Sequence, residues 1–187
     1  MQNKLMKRLS LAALFLALGL LLPFLTGQIP QIGNMLLPMH LPVLLCGLIC
    51  GWKYGGAVGF VLPILRFFLF GMPPIFPTGV AMAFELATYG IVIGLLYSRL
   101  PQRIGGVYLS LGAAMVAGRL VWGLVRVLLS GVTGSAFTWE LFMSGAFFSA
   151  APGIILQLML IPAVMYSLKR MGVLGYESAA AVGTTTR

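Results

Sequence analysis

Four ionisable side chains lie inside otherwise apolar runs of this 187-residue chain: Arg66, Glu85, Arg119 and Arg126. Arg119 and Arg126 are two helical turns apart, so in a helix both project from one face, with Trp122 between them. Glu85 and Tyr89 share a face in the same way, and Thr78 falls near it at the seventh position before Glu85. A charge held in hydrocarbon costs roughly 2.5–3.5 kcal/mol or more, so such residues face a polar interior and mark a ligand path or an internal ion pair. Glu85 is expected to face Arg66, Arg119 or Arg126. Three cations against one deep carboxylate leave at least one for an anionic or polar ligand, unless it reaches the interface. Arg126 could do that, or pair with Glu140. The only histidine, His40, stands between Pro38 and Pro42, where it is either a hydrogen-bonded helix-entry residue or a ligand contact. Gln28 and Asn34 add hydrogen-bonding groups to the segment before it.

The chemistry these residues could do is recognition rather than catalysis. No glycine-rich loop ends in a lysine for nucleotide phosphate, no H-E-x-x-H is present, and no serine stands beside a candidate base. A single histidine cannot build a metal site, and Cys46 and Cys50 are too few and too deep for a disulfide framework. The chain is therefore read as neither an enzyme nor a metalloprotein, and no cofactor is expected in it.

The elements that must position these side chains are membrane helices. The chain is 60% hydrophobic and 8% charged, against about 25% charged residues in soluble domains. A net charge of +9 does not point to nucleic acid, because the cations lie in small groups between apolar runs and form no basic face. The reading is an all-α polytopic membrane protein with six spans, at about residues 9–26, 36–52, 54–71, 77–97, 104–129 and 141–168. The first run follows Lys4, Lys7 and Arg8 but lacks an A-x-A-like cleavage site, so it is expected to be a retained helix. This arrangement collects Lys4, Lys7, Arg8, Lys53, Arg99, Arg103, Lys169, Arg170 and Arg187 on one side and no loop cation on the other. By the positive-inside rule that side is cytoplasmic, and both termini lie there. Residues 1–170 form one membrane domain, and 171–187 a small, polar tail expected to be disordered.

Span 1 carries Ala13 and Ala17, small residues four apart that admit close approach of another helix, either within the chain or from a separate membrane subunit. Residues 34–66, NMLLPMHLPVLLCGLICGWKYGGAVGFVLPILR, and 70–90, FGMPPIFPTGVAMAFELATYG, resemble the substrate-binding S components of energy-coupling factor (ECF) vitamin transporters. The similarity runs over about 9–170, and the segments around His40 and Pro73 resemble the pantothenate-type branch. The resemblance implies six helices, and a vitamin site near the outer face capped by the first outer loop. It implies a coupling transmembrane subunit that contacts Ala13 and Ala17, two ATPase subunits that use the ATP, and a plasma-membrane location. Read from the residues themselves, Arg66, Arg119 and Arg126 are the first candidates for anion recognition, and Glu85 orients them or accepts from a ligand hydroxyl. Gln28, Asn34 and His40 hydrogen-bond the ligand, and Tyr89 and Trp122 form apolar walls. Two other classes stay open: a stand-alone ion-coupled carrier with Glu85 as its proton site, and a membrane scaffold whose ion pairs only hold helices together.

The topology is testable by cysteine substitution at Ser135 and Thr185. An impermeant thiol reagent applied to intact cells is expected to label the first and not the second. Equal labelling of both removes the six-span arrangement.

Overall fold

The computed structural model describes residues 2–25, 36–133 and 138–172. Gln28, Asn34, and most of the tail lie outside them. The described chain is helical: α1 (Gln2–Leu25), α2 (His40–Cys50), α3 (Trp52–Phe70), α4 (Val80–Arg99), α5 (Ile104–Thr133), a short α6 (Trp139–Met143) and α7 (Ala151–Arg170). A π turn over Ile75–Gly79 leads into α4, and another over Ser144–Phe148 follows α6. Five stretches are long and apolar enough to cross a membrane: Leu5–Phe24, Trp52–Phe70, Ile75–Arg99, Ile104–Gly131 and Ala151–Arg170.

The expected second and sixth spans differ from this. α2 has 11 residues, about 16 Å of helix, half of a ~30 Å hydrocarbon layer. Its start is set by a turn in which Leu37 has a positive φ of 49° and the His40 N–H donates to the Leu37 carbonyl at 3.0 Å. Nine of its residues are buried, so protein rather than lipid surrounds it. The sixth region is broken between Phe148 and Ala151, and only Ala151–Arg170 is a continuous apolar helix. Pro152, in the first turn of α7, lacks the N–H that an unbroken helix would need there. Thr78 falls in the π turn before α4, so its expected helical register with Glu85 does not apply.

α4 is the centre of the bundle, packed on α2, α3 and α5; α1 lies on α2 and α3, and α7 on α5 and α2. Leu44, Leu62, Leu86, Ile93 and Leu111 are fully buried between them. Large apolar side chains cover the outside instead. On α5, Leu109, Val116, Leu120 and Leu124 point outward while Arg119 is buried. That inversion of the soluble pattern is what a lipid solvent imposes.

α2, α3 and α4 meet backbone to backbone along a glycine seam. A Cβ on Gly55 would lie 2.6 Å from the Gly47 Cα and 2.9 Å from the Gly90 carbonyl oxygen; one on Gly90 would collide with the Gly55 backbone. One turn further, a Cβ on Gly59 would strike the Leu86 carbonyl, the residue next to Glu85. Close backbone approach gives dense van der Waals contact, which drives helix association in lipid where apolar surface alone does not. Gly90→Ala is therefore expected to destabilise the purified protein by about 1–3 kcal/mol. Gly112, whose Cβ would enter open space, should tolerate alanine with no loss. Thermal unfolding in detergent checks the pair; equal shifts would show that the seam is not a close contact.

Candidate functional site

The polar cluster forms where α2, α4 and α5 converge. Glu85 is 2% exposed and Arg119 6%. The Arg119 guanidinium Nη1 lies 2.9 Å from Glu85 Oε1. The Tyr89 hydroxyl, one turn along α4, donates to the same oxygen at 3.1 Å. His40 Nε2 stands 3.5 Å from it, and the imidazole meets the Tyr89 ring edge to face with centroids 5.2 Å apart. Three helices thus send polar groups to one carboxylate oxygen. Gly118 makes the packing possible, since a Cβ there would lie 2.5 Å from Tyr89 Cε1. Glu85 is roughly 14 residues, about 21 Å, from the Arg99 end of α4. The cluster therefore lies in the half of the bundle away from the cation-bearing helix ends.

Several buried polar atoms of the bundle lack a partner among the described residues. Arg119 Nε and Nη2 and both His40 ring nitrogens are buried with no hydrogen-bond partner among the described residues. So is Gln157 Nε2, on the α7 stripe that also buries Gly153, Ile161 and Met165. A buried donor left unmet costs about 1–3 kcal/mol. Arginine and an amide NH₂ offer hydrogens only, so the group that completes them must bring acceptors. Gln157 is the residue that sequence reasoning missed. The available signal was a lone amide in an apolar helix, in step with Gly153, Ile161 and Met165 at every fourth position.

α5 continues the site upward. Arg126 lies 5.8 Å from the centroid of the Trp122 ring. Trp122 packs against Gly145 and lies 6.2 Å from the Phe142 ring, which stacks at a tilt 5.3 Å from Trp139. An aromatic layer from α5 and α6 therefore follows the polar cluster along the α5 face. Its outermost member, Trp139, is largely exposed.

Arg66 does not join the contacts at Glu85. Its Nη1 donates to the Leu20 carbonyl of α1 at 3.1 Å, and its guanidinium lies over Phe24 and Phe70 at 5.8 and 5.7 Å. Ala13 and Ala17 are on the exposed face of α1, whereas Ala12, Phe15 and Gly19 face the bundle.

The arrangement gathers polar groups in the bundle interior, and among the described residues no nucleophile stands beside a base. Comparison with known proteins agrees with a binding role. The family model of the ECF transporter substrate-specific component matches residues 7–166. No curated protein and no solved structure matches. A match over so much of the chain, on an all-helical bundle with five apolar spans and a polar interior site, means that the protein belongs to the family of ECF transporter substrate-specific components.

Proposed function

We propose that the protein captures a small water-soluble vitamin or vitamin precursor outside the plasma membrane, with pantothenate the first candidate. It then hands the ligand inward when the ECF partners hydrolyse ATP. Membership of the family makes it the substrate-binding membrane subunit of an ECF transporter, a class that works with a transmembrane subunit and ATPases. The observation that carries the ligand reading is the set of buried polar atoms without a partner among the described residues: donors on Arg119 and Gln157, and the ring nitrogens of His40. They suit a molecule rich in carbonyl and hydroxyl oxygens, as pantothenate is. A scaffold held together only by ion pairs has no use for them.

In this reading Arg119 and Gln157 donate to the ligand and His40 adds a third hydrogen bond. Glu85 holds Arg119 in place and can accept from a ligand hydroxyl through Oε2, which none of the three contacts above uses. Tyr89 and Trp122 form the apolar walls. Arg126 and Arg66 supply positive potential toward the outer end, and Gln28 and Asn34 contact the ligand from the first outer loop. Six membrane passages with both termini inside complete the arrangement, with residues 36–52 making the second passage and 171–187 a cytoplasmic tail.

Mass spectrometry of the small molecule that co-purifies with the protein identifies the ligand, and calorimetry with pantothenate tests the first candidate. Arg119→Met is expected to weaken binding by about 2–5 kcal/mol. Because that change also strands Glu85, Gln157→Leu is the cleaner variant. It should weaken binding by about 1–3 kcal/mol while leaving the ligand-free protein equally or more resistant to heat, since it removes an unmet buried amide. A Gln157→Leu protein that binds normally but melts earlier would make the glutamine a packing residue and count against the site.

Coupling is tested on α1. Ala13 and Ala17 are exposed and small, and replacing both with Trp blocks close approach of a partner helix. Ligand binding by the isolated chain should persist, while uptake by the complete complex and co-purification of the coupling subunit should fall sharply. Normal uptake by the double variant would place docking elsewhere or bring forward a stand-alone carrier.

A further inference from the structure

At the end of the bundle that carries the loop cations, a groove of about 310 Å³ opens between the C-terminal turn of α4, the start of α5 and the last turns of α7. That volume is at the lower end of ligand-sized cavities. Val107 and Met165, both 3% exposed, form its floor. Tyr97 and Tyr166 form its walls, and Arg103 and Lys169 stand at its rim. Lys169 Nζ donates to the Gln102 carbonyl, which fixes the ammonium beside the first turn of α5 and leaves two of its hydrogens for another acceptor. The amino end of a 30-residue helix adds partial positive charge at the same place.

Among the described residues no carboxylate lines the groove. Of the chain's three acidic residues, Glu85 is buried deep with Arg119, Glu140 begins α6 at the opposite end, and Glu177 lies outside the described residues. The nearest helix ends add Arg99 and Arg170, and Lys53 lies over the Trp52 ring at 5.6 Å. Tyrosine and tryptophan beside lysine and arginine at helix ends mark the level of lipid headgroups. A groove with an apolar floor, phenolic walls and two rim cations is complementary to a phosphate ester that carries an acyl chain.

We infer that this groove is a binding site for one anionic phospholipid, its phosphate between Arg103 and Lys169 and its glycerol and upper acyl chain on Val107 and Met165. The site is distinct from the Glu85 cluster and independent of the ligand proposed there. It ties α5 and α7 together at their cation-bearing ends through lipid, at a place where the described residues supply no carboxylate.

Native mass spectrometry in neutral detergent, with phosphatidylglycerol or phosphatidylcholine titrated into the purified protein, tests the inference. One phosphatidylglycerol should be retained in preference to phosphatidylcholine. Arg103→Gln/Lys169→Gln should weaken its retention by about thirtyfold. Lys7→Gln/Lys53→Gln removes the same charge at the same end of the bundle but outside the groove, and should change retention less than about twofold. Matching thermal unfolding of the lipid-free proteins shows that both variants fold. Equal losses in the two variants would mean diffuse surface charge and no site. Displacement of the lipid by inorganic phosphate would mean an anion site without the acyl contact. Unchanged lipid retention, with loss of the coupling subunit from the Arg103→Gln/Lys169→Gln complex, would assign the groove to a protein partner. Each of these three results overturns the inference.

Discussion

A charged pair that must stay out of lipid governs this bundle. Glu85 and Arg119 can occupy apolar helices only if each is the other's solvent, and at 2.9 Å they are. Breaking such a pair by removing one partner costs about 3–5 kcal/mol, because the survivor keeps its charge and loses its compensation. The pair therefore fixes the rotation of α4 against α5. With α4 so oriented, Tyr89 falls one turn away on the same face, and the start of α2 brings His40 to the same oxygen. The helix that delivers His40 is short, and its exposure to lipid at full length would place Pro38 and the positive-φ Leu37 in hydrocarbon. Burial inside the bundle is how such backbone is tolerated at membrane depth.

Holding three helices this close requires backbones that touch, and the glycines provide it. Gly47, Gly55, Gly59 and Gly90 remove the side chains that would separate α2, α3 and α4. The other half of the site is built differently. α5 brings Arg119 on a long side chain and meets α6 through Trp122 and Phe142. One wall of the site is thus a rigid backbone contact and the other is made of side chains. A ligand that bonds Arg119 and Gln157 would supply contacts between the second wall and the first, which is where binding can alter the packing of the bundle.

Much of this is legible in the sequence, because lipid makes polar residues conspicuous. Glu85, Arg119 and His40 stand out against apolar neighbours, and the spacing of Glu85 and Tyr89 already joins them. Which arginine meets Glu85 is not legible, since three are within reach of a plausible bundle and only packing selects Arg119. Arg66 illustrates the difficulty. Its partner is a backbone carbonyl on α1, and carbonyls carry no sequence signal of their own. The shortness of α2 is hidden for a related reason: an apolar run reads as a span whether lipid or protein covers it. The glycine seam is invisible to a pairwise reading, because its meaning lies in which glycines of different helices face each other. The family resemblance reaches the class of protein, because the shared pattern lies in the helix framework that every member needs.

Charge balance narrows what the ligand can be. Glu85 and Arg119 cancel, so the cluster as built is neutral and rich in donors. A carboxylate placed directly on Arg119 would compete with Glu85 for the same guanidinium and leave two anions on one cation, an arrangement that a low-dielectric interior disfavours. Carbonyl and hydroxyl oxygens meet Arg119, His40 and Gln157 without that conflict. A carboxylate is better placed near a second cation, and Arg126 lies two turns further along the same face, about 10.5 Å of helix rise, beside the Trp122 ring. The proposed ligand is then a molecule with neutral acceptors at one end and an anion at the other, spanning from the Glu85 cluster past Trp122 toward Arg126. Pantothenate has that form, with hydroxyl and amide oxygens at one end and a carboxylate at the other. A compact dianion does not, and would have to displace Glu85 from Arg119 in order to bind.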